Sequence, residues 1–335
     1  MGKKPLARAD MNHSRRALSA TLLLAATGVA PWAARAAGYP ERPITIVYPY
    51  AGGSASDVLA RQVGEIIAQG LGQPVVVESK PGAGGSIGLE QVAHAAPDGY
   101  TLAFTASGTM SVNPHLYNLK YKPVDDLVSV TTLVDVPYVV VTRPGFPART
   151  LEEFIAYARA NPGKVSFANA GTGTQAHLTQ VLFLRAAGID ATIVAYKGGP
   201  PAVADLLGGH VDAMIDNAAA QVGNVQARKV QALFVTTRAR SASLPNVPTA
   251  DEAGLPGFVT SGWFGLAAPR GTPQAIVERL NAVVVQAFAR PDMRRTLMAA
   301  GWLPVASSPA DADARARADL ARFGAIVRDL KLKPS

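Results

Sequence analysis

The most constraining stretch of this chain is Ile44–Asp57, ITIVYPYAGGSASD, which passes from strand to glycine turn to helix within fourteen residues. Ile44, Thr45, Ile46, Val47 and Tyr48 are β-branched or aromatic, as a buried strand requires, and Pro49 ends the ladder by removing a donor. Gly52 and Gly53 permit backbone angles that a Cβ hinders, and Ser54 and Asp57 have the S-x-x-D spacing of a capping box. The helix therefore starts near Ser54, carries Leu59, Val63, Ile66 and Ile67 on one face, and ends at Gly70 or Gly72. A helix start holds several unpaired N–H groups and about half a positive charge, so a carboxylate or phosphate can dock there without an arginine. An ordinary strand-to-helix turn accounts for the same residues.

The pattern recurs. Pro74–Glu78 reads as a strand, Ser86–Ala95 as a helix and Tyr100–Thr105 as a third strand, a βαβαβ series that calls for a parallel sheet. Thr105–Asn113 follows with hydroxyls and an amide at the same sheet edge. Val128–Val141 is β-rich and interrupted at Pro137, as expected of a strand leaving one domain for another. A second series opens at Thr150. Its strand Val165–Ala170 runs into Gly171-Thr172-Gly173-Thr174-Gln175-Ala176 and a helix ending at Gly188. Strands Ala191–Ala195, Val211–Ile215 and Val230–Thr236 follow, with Asp216-Asn217 at one strand's carboxyl end. A strand at Phe258–Ala267 and helices at Thr272–Ala289 and Ser308–Leu330 complete the chain. Returning them to the first domain creates two interdomain crossings and a hinge.

Two motifs suggest enzymes. Gly84-Gly85-Ser86-Ile87-Gly88 matches the G-x-S-x-G elbow of α/β hydrolases, but His177 or His210 would then need an acid before it at a strand end, no such constellation is found, and a glycine turn explains the same residues. G-x-G-x-x-A at Gly171–Ala176 matches a dinucleotide fingerprint. That fingerprint needs an acid at the carboxyl end of the next strand, whereas Asp190 falls at its beginning.

Lys3, Lys4, Arg8, Arg15 and Arg16 precede an apolar run from Ala17 to Trp32 and the small-x-small site Ala34-Arg35-Ala36, so residues 1–36 read as a secretory signal peptide. Met11 is an alternative start, and Ser14–Leu18 leaves Sec and Tat export both open. Without residues 1–36, which hold six Lys/Arg and one Asp, 32 basic and 24 acidic residues fall to 26 and 23, a net of +3. No basic cluster with interleaved aromatics remains, which argues against nucleic acid. The absence of cysteine removes both disulfides and a thioether-linked lipid anchor.

YPERPITIVYPYAGGSASDVLAR, GQPVVVESKPGAGGSIG, PDGYTLAFT, NPHLY, NPGKVSFANAGTGTQAHL, YKGGPPAVADLLGG, LPNVPTADEAGLPGF and APRGTPQAIVERLN, in that order, resemble the Bug receptors. These are the periplasmic substrate-binding proteins of tripartite tricarboxylate transporters. The resemblance implies a type II periplasmic-binding-protein fold, in which two α/β lobes joined by a two-crossing hinge clasp a small carboxylate. It also implies a soluble periplasmic monomer, without cofactor or catalysis, that delivers this carboxylate to membrane subunits. The lobes would be 37–142 with the return segment 245–335, and 143–244. Carried over, the ligand-binding residues are Tyr50, Ala51, Gly52, Gly53, Ser54, Ser56 and Asp57 of the first loop. From the second come Thr105, Ser107 and Asn113, and from the other lobe Asn169, Gly171, Thr172, Gly173, Thr174, His177 and Asp216. Tyr48 and Tyr50 stand where valine and phenylalanine are usual, and Ala168-Asn169-Ala170 where small hydroxyl residues are.

Overall fold

A computed structural model describes residues 1–2 and 38–332, and the chain from Pro40 onward forms one compact unit. The leader and its cleavage site lie outside the described residues. Strand β1 (Ile44–Tyr48) is followed by helix α1 (Ala55–Leu71), which Ser54 caps by accepting from the Asp57 N–H at 3.2 Å and which closes at Gly72. Only half of the expected capping box forms. Asp57 Oδ2 turns back to the N–H of Gly53, at 2.9 Å, because that residue's left-handed backbone aims its amide at the carboxylate.

Strand β2 (Val75–Ser79), helix α2 (Ser86–Ala93) and strand β3 (Thr101–Ala106) complete the first βαβαβ series, and β1 pairs in parallel with both strands. The stretch after β3 is not an open loop. Gly108–Val112 forms a π-turn and Asn113–His115 a 3₁₀ turn, with Gly108 through Asn113 buried throughout.

Strand β4 (Leu127–Thr142) is the spine of the sheet. Its first half pairs antiparallel with β9 (Ser261–Pro269), and its second half with β7 (Ala213–Asn217) and β8 (Gln231–Val235). Pro137, expected to interrupt this strand, leaves it continuous. It is the last residue opposite β9, facing Ser261, and precedes the first residue opposite β7, so it stands where the ladder changes partner.

The second series contains α3 (Leu151–Ala160), β5 (Ser166–Asn169), α4 (Gln175–Ala187), β6 (Thr192–Ala195), α5 (Gly199–Gly208) and α6 (Ala218–Gln226). Thr150 opens α3 with a full capping box, and Thr174 opens α4 by accepting from the His177 N–H at 3.2 Å. β5 is parallel to β6 and β7, and the strand order is β2-β1-β3-β9-β4-β7-β5-β6. The return segment adds α7 (Gln274–Ala289), which packs on α1, then α8 (Pro291–Ala299), a helix not expected from the sequence, strand β10 (Leu303–Pro304) against β4, and α9 (Pro309–Asp329). Charged side chains interrupt the apolar pattern of α8 and hide its helical face. Among the described residues no helix is long and apolar enough to cross a membrane.

Candidate functional site

Strand ends determine what gathers at one place. β1, β3, β5 and β7 each deliver a turn to the same edge, and a cavity of about 490 Å³ opens there. Four helices begin on its wall. Gly53, Ser54, Ala55 and Ser56 come from the start of α1, and Thr174, Gln175 and Ala176 from the start of α4. Gly198, Gly199 and Pro200 come from the start of α5, and Asn217, Ala219 and Ala220 from that of α6. Each start carries a partial positive charge and exposes backbone donors, although α5 offers only the Gly199 N–H, because Pro200 and Pro201 have none and the Gly198 N–H is bonded to Ala170 O. The wall formed by the described residues holds no Lys, Arg or His.

The rest is aromatic and aliphatic, supplied by Tyr48, Tyr50, Tyr138, Phe264, Val203, Ala204 and Leu207. Tyr48 anchors one corner, its hydroxyl 2.6 Å from Ser54 Oγ and 2.7 Å from Ser56 Oγ, with those two 3.0 Å apart. Burial pushes the Tyr48 phenol up to about 12, so it remains a neutral donor at physiological pH. Burial likewise raises Tyr138.

Among the described residues Asp216 is the single acid on this wall, and it is buried. Its Oδ1 accepts from the Asn217 N–H at 2.8 Å and its Oδ2 from Gln221 Nε2 at 2.9 Å. Desolvation outweighs both bonds and pushes its pKa up to about 6. Gln175 is 4% exposed, and neither its Nε2 nor its Oε1 has a hydrogen-bond partner. A buried amide with neither end satisfied is uncommon and calls for an explanation.

Of the residues expected at a site, the structure brings Tyr50, Ala51, Gly53, Ser54, Ser56, Ser107, Thr174 and Asp216 to this wall. The others stand behind it. Gly52 lies beside Asp57, whose carboxylate holds Gly53 and Arg61, the latter at 3.2 Å. Thr105 packs under Gly265. Asn113 donates to Gly84 O at 3.0 Å and Ser86 Oγ at 2.9 Å. Asn169 orders its own loop, accepting from the Gly171 N–H at 2.8 Å and donating to Gln180 at 2.8 Å. Thr172 O accepts from Tyr117, and Gly173 packs against Asn113. Burial lowers the pKa of His177, a neutral ring whose Nδ1 is unpaired.

Tyr138, Gln175, Phe264 and the Gly198–Pro200 turn were not expected from the sequence. The strand-then-glycine pattern of YKGGP is a usable signal for the turn. A strand tyrosine, a strand phenylalanine and a first-turn glutamine carry none.

Neither enzyme motif is assembled. Ser86 is buried and its Oγ meets an asparagine amide instead of an imidazole, while Asp190 is exposed at the wrong end of β6. Ser86→Ala is expected to lower stability by about 1 kcal/mol, the loss of one neutral hydrogen bond, and to leave ligand affinity unchanged. Ester hydrolysis that disappears in this variant would restore the hydrolase reading.

A family model described as tripartite tricarboxylate transporter family receptor matches residues 59–332. The chain is 37% identical over 328 residues to protein BugT of Bordetella pertussis, covering 96% of this chain and 99% of that one. Its structure is similar to R. palustris Rpa4515 with adipate, with TM-score 0.86 and 32% identity over 89% of this chain and 100% of that one. It is also similar to MatC of Rhodopseudomonas palustris with bound malate, with TM-score 0.81 and 36% identity over 86% and 100%.

Proposed function

Because this chain belongs to the tripartite tricarboxylate transporter receptor family, we propose that its cavity holds a small organic acid for delivery to the membrane subunits of such a transporter. The protein is a solute receptor with the α/β fold of these relatives. The observation that carries the ligand class is the convergence of four helix starts on a wall without a basic side chain among its described residues. Backbone amides and half-charges of this kind hold a carboxylate, and their fixed positions spare the ordering cost of a long arginine or lysine. The relatives with adipate and with bound malate support the same class.

The lobe reading fits this role. β4 and the segment between β8 and β9 are the two crossings, with the turning points at the partner change after Pro137 and just before Ser261 and not at 142 and 245, so the parts on either side would turn against each other and closure would bury the acid. The receptor would act in the periplasm as a monomer, after loss of residues 1–36, without changing its ligand chemically.

The test uses protein stripped of ligand by unfolding and refolding, then melted against mono-, di- and tricarboxylates. A true ligand at 100 times its Kd is expected to add about 2.7 kcal/mol of stability, several degrees in Tm, and to be recovered unchanged. No shift across the panel would sink the proposal.

A further inference from the structure

Helix α5 is apolar on two faces. Ala202 and Leu206 are buried in the core cluster that holds Ala168 of β5 and Met214 of β7. Pro200, Val203, Ala204 and Leu207, spaced i, i+3, i+4 and i+7, form a second apolar face, and all four line the cavity. A helix at a protein surface ordinarily carries polar residues on its outer side. The one charged residue of α5, Asp205, is turned to Tyr196, whose hydroxyl donates to it at 2.6 Å. Ala204 is exposed while Val203 and Leu207 are half-buried, so this face is open to whatever fills the cavity.

The other large side chains of the wall are rings, those of Tyr48, Tyr50, Tyr138 and Phe264. Tyr48 and Tyr50 meet edge to face with centroids 5.7 Å apart. Burial raises the phenols of Tyr48, Tyr50 and Tyr138, which therefore stay neutral. The first loop passes close to the start of α5, where a Cβ on Gly198 would stand 3.5 Å from that of Ala51.

Polar side chains on the α1 and α4 starts are already committed to the protein. Tyr48 Oη, Ser54 Oγ and Ser56 Oγ make three contacts among themselves, and three hydroxyls have only three protons to give. Thr174 Oγ1 donates to Gly171 O at 2.7 Å and accepts the His177 N–H. A ligand body rich in hydroxyls or carboxylates would have to break such bonds, whereas hydrocarbon leaves them intact. The cavity of about 490 Å³ has room for roughly sixteen waters at about 30 Å³ each. That is more than the heavy atoms of a four-carbon acid fill, and water left against apolar faces is a cost that a hydrocarbon body removes.

Resting on the receptor reading, we infer that the ligand is an amphipathic acid, a carboxylate carried on an alkyl or aryl body that lies along the outer face of α5 and against the rings of the wall. Hydroxylated polyacids of the malate and citrate kind are the wrong shape of polarity for it.

Titration calorimetry on the refolded, ligand-free protein tests this near neutral pH with butanoate, hexanoate and octanoate, and with phenylacetate, against malate and citrate. Affinity is expected to rise about fourfold for each methylene added, the worth of moving that group from water onto an apolar wall. Hexanoate and phenylacetate should each bind at least about tenfold tighter than malate or citrate. Ala204→Phe places a ring on the outer face of α5 at an exposed helical position, so the fold should be kept, as a ligand-free melt checks. That variant should lose at least about tenfold more affinity for octanoate than for butanoate. A flat series, malate or citrate tighter than hexanoate, or the parent's series unaltered in Ala204→Phe overturns the inference and leaves the carboxylate receptor standing. Binding of no acid at all overturns both.

Discussion

Gln175→Leu is expected to raise the stability of the ligand-free protein by about 1–3 kcal/mol while lowering ligand affinity about ten- to a hundredfold. Leucine has nearly the volume of glutamine, so the first turn of α4 keeps its packing. What changes is polarity. Both amide heteroatoms are buried without a partner, and removing them removes a desolvation penalty that nothing in the protein offsets. Gln175 also lines the cavity, so a ligand that draws its amide outward loses that contact in the variant. A stability gain coupled to a binding loss is the signature of a group kept for function. Urea or thermal melts without ligand, and calorimetry with it, measure the two halves separately. A destabilised variant of unchanged affinity would mean that Gln175 serves the fold alone.

Gly84→Val and Gly53→Val should fail in opposite ways, although both glycines have left-handed backbones, with φ +61° and +84°. A Cβ on Gly84 would stand 2.7 Å from the carbonyl oxygen of Thr172 and 3.1 Å from Asn113 Nδ2. The first is backbone and cannot rotate aside. Overpacking of about 1–3 kcal/mol adds to a left-handed penalty of about 1–2, so a loss of about 3–5 kcal/mol is expected. A Cβ on Gly53 meets nothing within 4 Å. Only the left-handed penalty of about 1–2 kcal/mol applies, and folding should survive. Its side chain enters the cavity, however, and affinity should drop by about tenfold or more. The expected mechanism is space, because the Gly53 amide is already bonded to Asp57. A folded Gly53→Val protein of full affinity would move the ligand off this loop. A Gly84→Val protein as stable as the parent would mean that residues 83–86 and 171–174 do not touch in solution.

The sequence by itself determined the repeating unit of this protein and most of its edges. Ser54, Thr174 and Ser308 cap the helices that follow them because a cap is a bond to the backbone three residues on, written within one turn of chain. The parallel pairing of β1 with β2 and β3 follows from strands that alternate with helices. The motif resemblance extended this to receptor class and family. Tertiary structure decided which way each loop faces. Asn113, Asn169 and Gly173 carry ligand-like chemistry on the right loops, yet they turn to Gly84 and Ser86, to Gln180, and to one another across the packed loops. Tyr138 and Gln175 reach the wall through the register of β4 against β7 and the seating of α4 beside Gly262. Those contacts join residues far apart in the chain, and their geometry follows from how sheet and helices pack, which no local spacing encodes. The cavity belongs to the same class, since it exists only once four helix starts and Asp216 meet at one edge of the sheet.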